Sequence, residues 1–377
     1  MLSRPMFTVL LVFLTVAAFP AAASAAPASS GAVVFSKLVT DSGEYETAEK
    51  EKFVKPPEGG LFAAKGGRLN QLTENPGDSQ PAFSPDDRTI AFIRDGDLYA
   101  MRADGSGQRS LTVGPEVDGR PSFSPDGRLI LFERGGPSAG SPRDLFTIRS
   151  RGGGLQALAP SPADEHEASF SADGRLVVLV RGTAQAGGGV AEDLYSVRPS
   201  GGRLVRLTRT AGPDEFAPFY CRGGIAFSRG QSGEGPAAFA DIYTMRRNGR
   251  EVRPLIRGAG SAYVEDVTPN GGLLLFRRDQ GLWVKSLPAK DKSAPRARKL
   301  SEVPDGSATS AVFSSDGREV AAFAETETAT EARQTLTAIS VATGRQRELA
   351  EGFSFSQGTV TTTIGPVIAW QPVRATR

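Results

Sequence analysis

The chain has 377 residues, with 44 Lys and Arg against 42 Asp and Glu, one cysteine and one histidine. The near-neutral net charge of +2 argues against a polybasic nucleic-acid-binding protein, and a single cysteine excludes a disulfide framework within the chain. The one histidine, His166, excludes a histidine-rich zinc site and would have to serve any Ser-His-acid triad.

The first 25 residues are predicted to be a signal peptide. Arg4 precedes an apolar run over 6–19, which is shorter than the roughly 20 residues needed to span a bilayer. Ala23-Ser24-Ala25 fits the small-residue cleavage pattern, so we expect an exported mature chain over residues 26–377. An uncleaved N-terminal anchor is the alternative; after cleavage, no transmembrane anchor is expected.

The rest of the sequence is repetitive. The string at 82–88, Ala-Phe-Ser-Pro-Asp-Asp-Arg, recurs at 122–128, 169–175 and 312–318, with weaker copies at 218–227 and 266–272. Its aromatic or valine position falls at 83, 123, 170, 219, 267 and 313, a spacing of 40 to 49 residues. That spacing is typical of β-propeller blades.

Each repeat is predicted to form four short strands, A to D. Strand A ends in Phe-Ser, a Pro-Asp-Gly type turn follows, strand B is apolar, strand C carries Asp-Leu-Tyr, and strand D ends in Leu-Thr or a close variant. There are seven strand-D ends but only six copies of strand A before the C-terminus. The segment 366–371, with Trp370 in the place of Phe83, would complete the first blade and close the ring.

The sequence therefore predicts an all-β protein consisting of one propeller with seven four-stranded blades. The predicted blades are 31–73 plus 365–372, 78–112, 118–159, 166–208, 215–256, 263–301 and 309–350. A six-bladed ring with a separate N-terminal segment is the alternative.

The Phe-Ser-Pro-Asp-Gly-Arg, Asp-Leu-Tyr and Leu-Thr elements resemble the WD40-like Pro-Asp repeats of TolB-like β-propellers, and the resemblance covers nearly the whole mature chain. TolB is a periplasmic component of a cell-envelope complex that contacts a peptidoglycan-associated lipoprotein. The resemblance thus implies a periplasmic, envelope-associated or secreted protein. Because the α/β domain that precedes the TolB propeller is lacking, we expect a TolB-like protein rather than TolB.

One face of the predicted ring carries candidate binding residues. The D-to-A links and B-to-C loops emerge together, and the B-to-C loops at 37–60, 134–143, 182–192, 230–240 and 325–334 vary most in length, as partner-binding loops do. The candidate residues in the links are Asp78, Asp118, Asp164, Glu165, His166, Asp214, Glu215 and Asp305. We expect them to ring one channel mouth and to attract a basic segment, Ca²⁺ or a cationic ligand. Alternatively, these acids cap their own turns.

The function favoured by the sequence is an exported, non-catalytic, monomeric binding or scaffold protein that engages a protein partner in the cell envelope. No catalytic residue, cofactor or nucleic-acid partner is predicted; Ca²⁺ at the channel mouth is the one metal considered. The alternatives are a propeller enzyme of the glycosidase or lyase type, which would use paired carboxylates, and a sensor domain for sugar or peptide fragments.

Overall fold

The computed structural model describes residues 32–370 except 42–43, 47–51, 55–56, 66–67, 139, 185–189, 211–212, 231–238, 259, 280, 288–295, 303–309, 328–330 and 356–359. The predicted signal peptide lies outside the described residues. These residues form seven four-stranded antiparallel sheets and one small hairpin. No segment among them is a helix long and apolar enough to cross a bilayer.

The strands follow one another as the repeats predict. Blade 1 contains β1 (Val33–Asp41), β4 (Glu58–Lys65) and β5 (Arg68–Gln71), with the hairpin of β2 (Glu44–Glu46) and β3 (Lys52–Val54) inserted after β1. Blade 2 is β6 (Asp78–Phe83), β7 (Thr89–Arg94), β8 (Asp97–Arg102) and β9 (Arg109–Ser110). Blade 3 is β10 (Val117–Phe123), β11 (Leu129–Gly135), β12 (Arg143–Arg149) and β13 (Gln156–Ala157). Blade 4 is β14 (Glu165–Phe170), β15 (Val177–Ala184), β16 (Val190–Val197) and β17 (Val205–Arg206).

The remaining strands complete the ring. Blade 5 is β18 (Asp214–Cys221), β19 (Gly224–Gly230), β20 (Ala240–Met245) and β21 (Arg253–Ile256). Blade 6 is β22 (Ala262–Val267), β23 (Leu273–Arg278), β24 (Gly281–Ser286) and β25 (Arg298–Glu302). Blade 7 is β26 (Ser310–Phe313), β27 (Glu319–Glu327), β28 (Glu331–Ser340) and β29 (Gln346–Phe355), and the chain returns to blade 1 in β30 (Val360–Trp370).

Blade 1 joins the two ends of the chain in one sheet. Its strand order is β30-β1-β4-β5, and Trp370 pairs with Val33. Phe83 pairs with Ile90 at the same place in blade 2, so the predicted correspondence of Trp370 and Phe83 is confirmed. The prediction of seven blades with terminal strand closure is confirmed, and the six-bladed alternative is wrong. Strand β30 begins at residue 360, earlier than the predicted 366, because it pairs with β1 as far as Asp41.

The B-to-C insertions mainly lengthen the hairpin between strands B and C. In blade 4 the pairing of β15 with β16 continues to Ala184 and Val190, and in blade 7 the pairing of β27 with β28 reaches Glu327 and Ala332. In these extended hairpins the backbone N–H and C=O groups form hydrogen bonds between the two strands, whereas in a loop they would be left to water. The segments predicted as loops at 182–192 and 325–334 are therefore partly strand.

Among the described residues, the hydrophobic core is a ring of seven clusters, one between each pair of neighbouring blades. Strand B explains this because its successive side chains point to opposite faces of the sheet. In β7, Ile90 and Phe92 pack against blade 1, whereas Ile93 packs against blade 3. The cluster with Phe323 and Phe35 joins blade 7 to blade 1. The ring is thus closed by packing as well as by β30.

One strand-B position contributes a large buried side chain to this packing in every blade. It holds a fully or almost fully buried phenylalanine in six blades: Phe35, Phe92, Phe132, Phe227, Phe276 and Phe323. In blade 4 the position is Leu179, which is also fully buried. Burying such a side chain contributes about 1.5–3 kcal/mol.

The Pro-Asp-Gly type turns are held by their own side chains. Ser84 Oγ donates to Asp86 Oδ1 (2.6 Å), and the backbone amide of Arg88 donates to the same oxygen (3.2 Å). The hydrogen bond from Ser84 holds the pKa of Asp86 below its usual value. The same serine-aspartate bond recurs at Asp126, Asp173 and Asp316. The repeated aspartates therefore stabilise turns.

Candidate functional site

Four of the predicted acidic residues occupy the first or second position of strand A, the inner strand, in blades 2 to 5, where their side chains have no exposed surface. Each faces an arginine on strand B of its own blade. The pairs are Asp78–Arg94 (2.6 Å), Asp118–Arg134 (2.6 Å), Glu165–Arg181 (3.8 Å) and Glu215–Arg229 (2.9 Å). These carboxylates lie inside the blades, and a binding role for them stays a prediction.

The Leu-Thr element supplies a further partner for two of these carboxylates. Thr112 Oγ1 accepts from the amide of Leu98 (2.8 Å) in blade 2 and donates to Asp118 Oδ2 (2.5 Å) in blade 3. Thr208 makes the same connection from blade 4 to Glu215 in blade 5 (2.9 Å). The acid, the threonine and the arginine together form a buried joint between consecutive blades.

Glu165 is the exception among the four. Neither of its carboxylate oxygens has a hydrogen bond of normal geometry among the described residues, and Arg181 is farther away than the arginines of the other pairs. The amide of Leu145 and the hydroxyl of Ser161 are near enough only to oppose in part the effect of burial on its pKa. Ala159 stands six residues before Glu165, where Thr112 stands six residues before Asp118. Burial raises the pKa of Glu165 to about 7. In the blade that lacks the threonine hydroxyl, the carboxyl group of Glu165 is therefore partly protonated near neutral pH.

The remaining predicted residues in this part of the ring form a polar cluster between blades 3 and 4. Asp164 accepts from Arg143 Nη2 (2.7 Å), and His166 Nε2 lies 3.2 Å from Glu192 Oε1 and 3.7 Å from Asp164 Oδ2. Burial lowers the pKa of His166, but the hydrogen bond with Glu192 and nearby carboxylates outweigh burial and raise it overall. Asp214 accepts from the amide of Glu192 (3.1 Å). The structure therefore brings Asp164 and His166 together and connects Asp214 to them through Glu192.

Asp305 lies outside the described residues. Among the residues that the structure describes, no group of three His, Cys, Asp or Glu side chains is placed to hold a metal ion. Ca²⁺ binding at the channel mouth therefore stays a prediction.

The channel wall contains a feature that the sequence analysis missed. Each inner strand of blades 2 to 5 has a β-bulge, and its first residue adopts a left-handed backbone: Gln80, Arg120, Glu167 and Ala217, with φ of 48° to 50°. Residues with a side chain pay about 1–2 kcal/mol for this conformation. A proline follows in three of the four blades, at 81, 121 and 218, and this shared proline was the available sequence signal.

The bulges connect neighbouring blades through backbone amides. The amide of Arg120 donates to Gln80 Oε1 of the preceding blade (2.6 Å), and the amide of Ala217 donates to Glu167 Oε2 (2.7 Å). The amide of Glu167 donates to Glu133 Oε1 (2.8 Å). These interblade bonds offset the strain of the left-handed residues and fix the side chains around the channel.

The channel has an apolar part and a smaller charged part, which we call the waist. The apolar part is a cavity of about 690 Å³ that extends to the A-to-B turns and is walled by the inner strands of blades 2 to 7. Phenylalanine and proline are the commonest residues of its wall, and they include Phe123, Phe170, Phe313, Pro121 and Pro269. The cavity therefore offers apolar rings and prolines at the end of the ring opposite the D-to-A links.

The waist is a smaller cavity of about 220 Å³ that shares Arg120 with the apolar part and is also lined by Glu133, Glu167 and Glu265. Arg120 Nη1 lies 3.5 Å from Glu167 Oε1 and 3.7 Å from Glu133 Oε1. Burial raises the pKa of Glu265 to about 7, although Arg277 is 3.4 Å away. The waist thus combines one cation, two paired carboxylates and one carboxyl group that is partly protonated near neutral pH.

No protein-family model matches the chain, and no curated protein matches it. Solved structures with a similar fold include the oligogalacturonate lyase of Vibrio parahaemolyticus, with 14% identity, 77% of this chain and 88% of the lyase covered, and a TM-score of 0.55. An oligogalacturonate lyase in complex with manganese has 14% identity, with 86% of this chain and 96% of the lyase covered, and a TM-score of 0.54. TolB from Acinetobacter baumannii has 15% identity, with 89% of this chain and 83% of TolB covered, and a TM-score of 0.49. At these identities the likeness concerns the fold alone. The β-propeller fold predicted from the repeats is confirmed at that level, by the seven four-stranded sheets and by the two lyase structures.

Proposed function

We propose that this protein is an exported, non-catalytic binding propeller of the cell envelope that holds a segment of a protein partner in its central channel. The observation that carries the proposal is the cavity of about 690 Å³, whose wall is built from the repeated strand-A ends of six blades. Cavities lined mainly by apolar and aromatic groups, with a few placed polar groups, are the usual form of a binding site.

A polypeptide segment suits this cavity because its apolar side chains would contact the phenylalanine and proline wall. At the waist, Arg120 would supply hydrogen-bond donors, and Glu167 would supply an acceptor to the segment's polar groups. Two of the three waist carboxylates already accept backbone amides of the propeller, Glu133 from Glu167 and Glu167 from Ala217. Because these two carboxylates are already engaged in hydrogen bonds, we favour a binding role for them over a role in acid-base catalysis.

Site-directed capture in living cells tests this proposal. A photo-crosslinking side chain at Ala172, which is exposed at the rim of the cavity, should capture a partner, and the crosslinked segment can be mapped and synthesised. The same side chain at Gln156, exposed on an outer strand, is the matched control. The synthetic segment should bind the purified chain, and Ala168→Trp, which places an indole in the channel, should weaken binding at least about tenfold, or 1.4 kcal/mol.

Gln156→Trp adds the same indole outside the channel and should leave the affinity unchanged. Equal capture at both positions, or unchanged affinity in Ala168→Trp, would contradict channel binding. The enzyme alternative would replace the proposal if the chain cleaved oligogalacturonate, the substrate named for two structures of similar fold, and lost that activity in Glu265→Gln.

A further inference from the structure

The A-to-B and C-to-D turns of blades 3 to 5 carry a strong positive charge. We define the turn face as 124–128, 149–155, 171–176, 198–204, 221–224 and 246–252. It has three carboxylates, Asp126, Asp173 and Glu251, against ten arginines, an excess of seven positive charges. The arginines, all exposed, are Arg128, Arg149, Arg151, Arg175, Arg198, Arg203, Arg222, Arg246, Arg247 and Arg250.

Most of this charge is not neutralised within the protein. Three arginines have carboxylate partners on the turn face: Arg128 with Asp126 (3.8 Å), Arg246 with Glu251 (2.6 Å), and Arg247 with Asp173 (3.2 Å). The other seven form no ion pair with a carboxylate in the described part of the chain. The pair of Arg247 and Asp173 joins a C-to-D turn of blade 5 to an A-to-B turn of blade 4, so the turns of these two blades form one surface.

Exposed aliphatic side chains accompany the arginines in the same three blades. Leu155 and Val252 are the last residues of C-to-D turns and Val205 is the first residue of β17; they are 46%, 38% and 48% exposed, respectively. The turn face therefore presents guanidinium groups and apolar side chains side by side.

The opposite side of the same blades has no comparable positive charge. The D-to-A links at 112–118, 159–165 and 208–215 contain six carboxylates and one arginine. Asp118, Glu165 and Glu215 are buried beside arginines of strand B, and Asp164 accepts from Arg143, so most of these carboxylates are already paired within the protein. The positive charge that is concentrated on the turn face would turn that side toward an anionic surface.

We propose that the turn face of blades 3 to 5 binds the surface of an anionic phospholipid membrane. Guanidinium groups form bidentate hydrogen bonds with phosphate, and each basic residue near such a surface strengthens binding about fivefold. The three aliphatic side chains would enter the headgroup region. A soluble anionic polymer would use the arginines but leave the aliphatic side chains in water, and this favours lipid over polymer.

Vesicle sedimentation with the full chain tests the proposal. Vesicles of equal parts phosphatidylglycerol and phosphatidylcholine should bind the chain more tightly than vesicles of pure phosphatidylcholine. Binding to the pure phosphatidylcholine vesicles measures any insertion by the N-terminal apolar segment. Arg151→Gln with Arg203→Gln should weaken binding to the anionic vesicles about 25-fold, from two factors of about five. Neither arginine has a side-chain partner among the described residues, so the double variant should fold normally.

Arg209→Gln with Arg257→Gln is the control for net charge, because it removes the same charge from two exposed arginines that follow strand D on the opposite face, and it should change binding less than twofold. Since Arg257 also donates to the Tyr243 hydroxyl (3.2 Å), thermal unfolding first establishes that this variant is folded. Equal weakening in the two double variants would overturn the proposal, since net charge alone would then explain it. Tighter binding to soluble polyphosphate than to the anionic vesicles would also overturn it, in favour of a polymer ligand. Leu155→Ser with Val205→Ser should weaken vesicle binding while leaving polyphosphate binding unchanged, and equal vesicle binding would contradict apolar insertion.

Discussion

Blades 3 and 4 each begin their inner strand with a buried carboxylate, yet the two carboxylates are held very differently. Asp118 accepts hydrogen bonds from Arg134 at 2.6 Å and from Thr112 at 2.5 Å. Glu165, at the same place one blade later, has Arg181 at 3.8 Å and no hydrogen bond of normal geometry among the described residues. The comparison shows that a repeat can keep the position of a charge while losing the groups that stabilise it.

The largest expected difference follows from removing the arginine of each pair. Arg134→Leu leaves the carboxylate of Asp118 buried without its cation, and we expect the free energy of unfolding to fall by about 3–5 kcal/mol. Arg181→Leu should cost less than about 2 kcal/mol, because Glu165 can take up a proton near neutral pH instead of staying charged. Arg134 also lies over two aromatic rings, Phe132 and Phe146, and Arg181 over one, Tyr195, so the two variants differ by one lost ring contact besides the ion pair. Urea unfolding at pH 7 measures both, and equal losses would contradict the comparison.

The pH dependence of stability gives the next effect. Burial raises the pKa of Glu165 from 4.5 to about 7, so between these values the folded chain keeps a proton that the unfolded chain releases. Stability therefore falls as pH rises through this window, and above pH 7 the ionised group costs up to about 3 kcal/mol. Glu165→Gln should remove this cost, so its advantage over the unchanged chain should grow between pH 5 and pH 8.

The control for the pH experiment is internal. Glu265 also has a pKa raised to about 7 by burial, but it is present in both proteins and cancels in the difference between them. An advantage of Glu165→Gln that is the same at pH 5 and pH 8 would show that the pKa of Glu165 is not raised.

The smallest effect comes from restoring the missing hydroxyl. Ala159→Thr places a threonine six residues before Glu165, as Thr112 precedes Asp118, and should stabilise the chain by about 1 kcal/mol at pH 8. At pH 5 the gain should be smaller, because the carboxyl group is then protonated. Ala159→Val has the same shape without the hydroxyl and should give no gain at either pH; thermal unfolding that ranks it level with Ala159→Thr would rule out the hydrogen bond.

Much of the fold could be predicted because its determinants are local. Ser84 and Asp86 form their turn within a few residues, and the same string marks the turn wherever it recurs. The alternation of Ile90, Phe92 and Ile93 between neighbouring blades follows from the strand itself. Counting strand-D ends against strand-A copies was therefore enough to predict seven blades and their closure by Trp370.

The candidate site could be predicted only in part. The acidic residues before each strand A were recognised, but their surroundings were not, because the arginine that pairs with Asp78 or Asp118 stands 16 residues later on a different strand. The channel waist was missed for the same reason: Glu133, Glu167 and Glu265 come from three blades and meet only in the ring. The positive charge of the turn face likewise depends on which turns share a face.

The sequence by itself determined the number of blades, the turn chemistry and the strand that closes the ring, because each depends on residues close together in the chain or on the repeat count. The tertiary structure decided which charges are buried and which are exposed. Asp118 becomes part of a joint between blades, Glu165 keeps a proton, and Arg203 stays in water. Burial and pairing depend on neighbours that the chain brings together only when the ring is complete.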